Sequence, residues 1–193
     1  MRRLISALAL SSVLIALPAL AQETAPTAAT APVAPASAPA PGPATLDALM
    51  TEFYAVISGE VGPRDWDRFN ALFYPNATLM PTGRRRDGSV GARILNTAGY
   101  IAENSPFFAE NGFFEREIGR SPVRSYGAVV QFQSVYEARH ALSDDQPFLS
   151  GVNSITAFND GKRWWLMTIA WTHASPDNPL PAEILYPATA VAP

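Results

Sequence analysis

Apolar residues recur with a helical period at Leu46, Leu49, Met50, Phe53, Tyr54 and Ile57. This predicts an amphipathic helix with Thr45 as its N-cap, Asp47 in its first turn and Gly59 at its stop. Gly62-Pro63 turns the chain. A second, short helix follows Asp65, with Trp66, Phe69, Leu72 and Phe73 on one face and Pro75-Asn76 at its end. Residues 77–80 read as a short strand and 81–91 as a polar loop carrying Arg84-Arg85-Arg86. A third helix is expected over 96–104, broken or kinked at Ser105-Pro106, after which Phe107-Phe108 pack inward.

From Gly112 the period changes to two. Strands are expected over 113–123, 128–140, 149–158 and 162–173, with Pro122 marking an edge or bulge and Asn159-Asp160-Gly161 a hairpin turn. In the second of these, Val130, Phe132, Ser134, Tyr136 and Ala138 form the more apolar face. In the last, Trp165, Met167, Ile169 and Trp171 share one face and Trp164, Leu166, Thr168 and Ala170 the other. Both faces are apolar, so both are expected to be covered, one by the helices and the other by a second subunit. Helices followed by strands give an α+β class.

The ends read differently. Arg2-Arg3, the apolar run from Leu4 to Leu17 and Ala19-Leu20-Ala21 form a cleavable signal peptide over 1–21, cut after Ala21. The run is shorter than the ~20 residues that span a bilayer, so no membrane insertion is expected after cleavage, and the protein is expected to be periplasmic or secreted. Residues 22–44, almost all Ala, Pro and Thr, read as a disordered linker. The domain is expected over 45–187 and a flexible tail over 188–193. Ile184, Leu185 and Tyr186 are expected to anchor a proline-rich segment back across the domain, over its mouth or a dimer edge.

Removing Arg2 and Arg3 leaves 12 basic and 17 acidic residues, net charge −5. This argues against nucleic-acid partners. The absence of cysteine excludes disulfides, thiolate metal sites and a cysteine nucleophile. The two histidines, His140 and His173, make a poor metal site, so no metal and no cofactor are expected.

The order helix, helix, short strand, helix, then long antiparallel strands resembles the NTF2-like superfamily, in its exported, SnoaL-like bacterial form. Leu49–Gly59 resembles the opening helix of that family. Asp65-Trp66 through Leu72-Phe73-Tyr74-Pro75-Asn76-Ala77-Thr78-Leu79 resembles its helix-to-strand passage, and Asn159 to Met167 its closing hairpin. The resemblance implies a cone, with three N-terminal helices packed on a curved antiparallel sheet, a pocket at the open end, and a homodimer through the outer sheet face.

Fold does not transfer function. Tyr54 lies roughly where ketosteroid isomerase, a relative, carries a catalytic tyrosine. The stretch where that enzyme places its general base is Met80-Pro81-Thr82, without a carboxylate. The balance therefore leans away from an enzyme. His173 with Asp177, or Tyr54, are the remaining catalytic candidates. Tyr54, Phe132, Tyr136, Asn153, Trp165 and Trp171 are the candidate pocket residues. Tyr136 and Trp171 line the pocket or pack the core, and Asn153 faces a ligand or a neighbouring strand. Three function classes stay open: binding of a small apolar molecule without turnover, a lyase or isomerase, and a protein-interaction module in the periplasm.

Overall fold

The computed structural model describes residues 42–185. The leader expected over 1–21, most of the linker and the end of the chain from 186 lie outside the described residues.

Helix α1 (Leu46–Ile57) starts where the sequence expects, with the Thr45 hydroxyl accepting the Ala48 N–H at 3.0 Å. Its buried face is Leu49, Met50, Phe53, Tyr54, Val56 and Ile57. Its C-terminus is held by Arg64, only 8 % exposed. That guanidinium donates to the carbonyls of Ile57, Gly59, Glu60 and Gly62 at 2.8–3.0 Å and lies over the Phe108 ring. Carbonyls that a helix end leaves orphaned are thus satisfied by a buried cation.

Helix α2 (Trp66–Asn70) is capped by Asp65, which accepts the Arg68 N–H. Strand β1 (Phe73–Arg84) follows and is longer than the short strand the sequence suggests. Pro75-Asn76 does not end a helix. It lies in β1 where the register shifts, and Asn76 takes φ 65°. The expected loop over 81–91 is mostly a hairpin, β1 returning through β2 (Val90–Ala92). Helix α3 (Thr97–Glu110) runs through Pro106 instead of stopping at it. Proline removes the bond to the carbonyl one turn back. Around it the Ser105 hydroxyl donates to the Ile101 carbonyl at 2.6 Å and the Asn104 amide to the Tyr100 carbonyl at 2.8 Å.

The remaining strands are β3 (Phe114–Arg120), β4 (Arg124–Tyr126), β5 (Val129–Arg139), β6 (Leu149–Asn159) and β7 (Trp164–His173). The sheet order is β2-β1-β7-β6-β5-β3, with β4 also on β5. β3, β5, β6 and β7 pair antiparallel, and β1 joins β7 in parallel, which the sequence pattern did not reveal. The N–H of Trp164 donates to the Pro43 carbonyl at 2.9 Å, so residues of the expected linker pair with β7.

Two β-bulges decide which side chains face the helices. In β7, Thr168 pairs with Thr156 but Leu166 with Ala157, leaving Met167 as the extra residue. The alternation therefore changes phase there. Trp164 and Leu166 join Ile169 and Trp171 at the core, and Trp165 points away, beside Tyr74 and under Arg163. In β3 the extra residue is Ile118: Glu117 opposes Tyr136 and Gly119 opposes Val135. Glu115, Glu117 and Arg120 consequently share the inner side. A last short helix, α4 (Ala182–Leu185), packs on β3, with the Ile184 carbonyl 3.1 Å from where a Cβ on Gly119 would stand. The tail is thus anchored by the buried Ile184, on the side of β3 away from the helices.

Candidate functional site

Between α1, α3 and the inner face of β3, β5, β6 and β7 lies a cavity of about 240 Å³. Its walls are mostly aromatic: Phe53 from α1, Tyr100, Phe107 and Phe108 from α3, Phe113 ahead of β3, and Trp171 from β7. The polar lining groups are Glu115, Asn153, Asn104, Tyr100, Tyr136 and His173.

Glu115 is the residue that the sequence analysis missed. It stands opposite Ala138, a fully buried inner position of β5. Its backbone is clamped to the end of α1: the Glu115 N–H donates to the Ser58 hydroxyl at 2.9 Å, and that hydroxyl lies 3.2 Å from the Glu115 carbonyl. The carboxyl has no ion-pair partner among the described residues. Every fully buried side-chain polar atom there is hydrogen-bonded. Glu115 lines this cavity and also a second cleft, which it shares with Ser58, Arg116 and Arg139. Loss of water around it pushes its pKa up to about 8, with the Asn153 amide pulling weakly the other way. This favours the protonated carboxyl, which can donate a hydrogen bond to a ligand. The only early signal was two acids, Glu115 and Glu117, spaced by two in a strand. Their facing depended on the pairing register.

Tyr136 and His173 meet across β6. The Tyr136 hydroxyl lies 2.9 Å from His173 Nδ1. Burial raises the tyrosine pKa and lowers that of the histidine, so both stay neutral. The contact joins two neutral groups, and the imidazole tautomer sets which of them donates. Gly151, paired with both residues, makes room for this contact. The partner expected for His173 was Asp177. Asp177 is exposed and makes no hydrogen bond or ion pair with the imidazole; the chain turns at residues 175–178 just beyond β7.

Of the expected pocket residues, Tyr136, Asn153 and Trp171 line the cavity. Tyr54, Phe132 and Trp165 do not. Tyr54 lies in the core, 6 % exposed, with its hydroxyl 2.6 Å from Ser134 Oγ and accepting from Asn153 Nδ2 at 3.2 Å. Phe132 lies further along β5, under the Arg120 guanidinium. Trp165 is turned out by the Met167 bulge, its indole N–H donating to Asp160 at 2.9 Å. His140 stacks on Phe148, a wall residue, and its ring Nδ1 lies 3.1 Å from the Gly112 carbonyl. Asp144 accepts the backbone N–H groups of His140 and Ala141, closing the loop rather than serving the imidazole. The Arg84–Arg86 triplet sits at the β1–β2 hairpin, outside the lining. Among the described residues no three His, Asp or Glu side chains converge as metal ligands.

No family model and no curated protein matches the chain. Solved structures do. A candidate calcium/calmodulin-dependent protein kinase type II association domain from Thiobacillus denitrificans matches at 12 % identity and a TM-score of 0.54, over 70 % of this chain and 99 % of that one. A candidate aromatic ring hydroxylase from Novosphingobium aromaticivorans matches at 14 % and 0.50, over 67 % and 87 %. A protein of unknown function with a cystatin-like fold from Nostoc punctiforme matches at 12 % and 0.50, over 72 % and 99 %. These likenesses show the fold alone. It is the α+β, NTF2-like or cystatin-like, arrangement that the order of elements implies.

Proposed function

Starting from that fold, we propose that this chain binds a small, largely apolar molecule in the aromatic cavity, with Glu115 as the polar group that recognises it. One observation carries the reading: a carboxyl without a counter-ion, set in the aromatic lining of the cavity. Burying a carboxyl this way costs free energy that packing alone does not recover, and pockets of this composition use a few polar groups to orient an apolar ligand. The test is a ligand-observed NMR screen of small aromatic and alicyclic compounds. Hits are expected that bind the wild type and are lost in both Glu115→Leu and Trp171→Ala. A screen whose hits ignore both substitutions overturns the reading. Native mass spectrometry of the protein from its exporting host reads any retained molecule and the subunit number together.

A second reading, a lyase or isomerase, is favoured by the same carboxyl. A group titrating at about 8 is matched to proton transfer near neutral pH. In this reading β3 supplies the acid–base group missing from Met80-Pro81-Thr82, and His173, tied to Tyr136, is no longer the leading candidate. Turnover of a hit that Glu115→Gln abolishes while binding persists supports it. In both readings the protein acts outside the cytoplasm after cleavage at Ala21 and pairs through the outer sheet face.

A further inference from the structure

Tyr54, a catalytic candidate only by the family resemblance, does not line the aromatic cavity. It is instead the middle link of a chain of hydrogen bonds that begins at the surface. Arg120 donates to Asp47 at 2.6 Å and to both Glu117 oxygens at 2.6 and 2.9 Å. The Ser134 hydroxyl, fully buried, donates to Glu117 Oε1 at 2.6 Å. The Tyr54 hydroxyl lies 2.6 Å from Ser134 Oγ, and Asn153 Nδ2 is 3.2 Å from the Tyr54 oxygen.

Proton counting gives this chain one direction. Glu117, held by Arg120, only accepts, so the single Ser134 proton goes to it. The Tyr54 proton must then go to Ser134. The Tyr54 oxygen is left as an acceptor and cannot face the Asn153 carbonyl. We infer that Tyr54 is a positioning residue: through Ser134, Glu117 and Arg120 it fixes the Asn153 carboxamide with its amino group serving both Tyr54 and Glu115. The carboxyl in the cavity and the surface ion pair are the two ends of one polarised chain. This deepens the proposed function, resting on Glu115 as the group that matters there.

The charged and titratable groups around Glu115 are Tyr54 from α1, Tyr100 from α3, Tyr136 from β5 and His173 from β7, with Glu117 two residues along its own strand and Arg116, Arg139, Asp144 and Asp145 lining a second cleft with it. Arg64 acts behind Tyr100, and Arg116 pairs with Glu137. Asn153, beside Glu115 in the cavity lining, is the group that favours the ionised carboxyl.

The experiment is a pH titration of the glutamate carboxyl ¹³C signals in the ligand-free protein, with Glu115 assigned by its loss in Glu115→Gln. In Tyr54→Phe the Asn153 amide is released, and the Glu115 midpoint is expected to rise by about half a unit or more. Ser134→Ala is expected to move it the same way by less, and the Asn153 side-chain ¹⁵N–¹H₂ pair is expected to shift in both. An unchanged or lowered midpoint in Tyr54→Phe overturns the inference. So does a midpoint that Ser134→Ala leaves untouched, and this smaller substitution decides the matter where Tyr54→Phe does not fold. No ligand enters the measurement, so failure of the ligand reading shows separately, as a screen without Glu115-dependent hits.

Discussion

Tyr136 and His173, 37 positions apart in the chain, are joined at 2.9 Å only because the residue between them in the sheet is Gly151. A Cβ at Gly151 would stand 2.5 Å from the Tyr136 hydroxyl and in collision with the Thr172 carbonyl, which is backbone and cannot swing aside. Gly151→Ala is expected to destabilise the protein by about 1–3 kcal/mol. Adding Tyr136→Phe should recover only part of that. Urea unfolding of the single and double variants checks both expectations, and full recovery in the double variant would mean that the backbone collision is relieved without loss.

The raised pKa of Glu115 makes stability depend on pH in a stated direction. In the unfolded chain this carboxyl loses its proton near pH 4.3, whereas in the folded protein it holds it to about 8. Between those values the folded state binds more protons, so stability falls as pH rises. It is highest below the lower value and levels off above the upper one. Glu115→Gln removes the term, so the variant should gain on the wild type steadily from pH 5 to pH 8, by a few kcal/mol at most. Parallel stability curves would show that the carboxyl is better solvated than its surroundings indicate.

His173 has the opposite sign. Burial lowers its pKa, so the folded state favours the neutral ring. Its contribution is present above the ordinary histidine value and is lost as pH falls through the folded value. One ring tautomer should dominate in ¹⁵N NMR at neutral pH, and Tyr136→Phe should release it, with the tautomer ratio moving toward that of a free imidazole.

Arg64 donates to four backbone carbonyls and is nearly closed from solvent. Arg64→Met leaves those acceptors behind in a space that water reaches poorly. A loss of about 3 kcal/mol is expected, and Arg64→Lys should recover little, because an ammonium cannot span the same fork. Thermal melts compare the three proteins.

The bulge at Met167 separates Trp165 from Trp171. Trp171→Ala should weaken binding of every cavity hit and lower stability by about 1–3 kcal/mol. Trp165→Ala should leave hits untouched, since it gives up the Asp160 hydrogen bond, its stacking under Arg163 and its edge contact with Tyr74, all away from the cavity. Equal loss in both variants would put Trp165 at the cavity.

Much of the fold was legible because local patterns carried it. The 3.6-residue period from Leu46 to Ile57, the caps Thr45 and Asp65, and the alternating set Val130, Phe132, Ser134, Tyr136 and Ala138 each depend on neighbours along the chain. All of them appear as read. The order of the main elements also appears as read, with β2, β4 and α4 added to it.

What the tertiary structure alone decided was phase and partnership. One extra residue, Met167, shifts every later side chain of β7 to the other face. A period-two count therefore put Trp165 in the wrong place while Trp171 came out right. Pro106 does not stop α3, because Ser105 and Asn104 bind carbonyls around the gap and Phe108 packs into the core. Glu115 became a site residue only once β3 was paired with β5 and the helices had removed the water around it. Desolvation is a property of the assembled core, and no spacing in the sequence encodes it. Tyr54 kept its predicted helix and burial but changed its role, because its neighbours Ser134 and Asn153 lie 80 and 99 positions away. Helix and strand periods are set within a few residues, whereas register, bulges and the loss of water are set by contacts between distant ones.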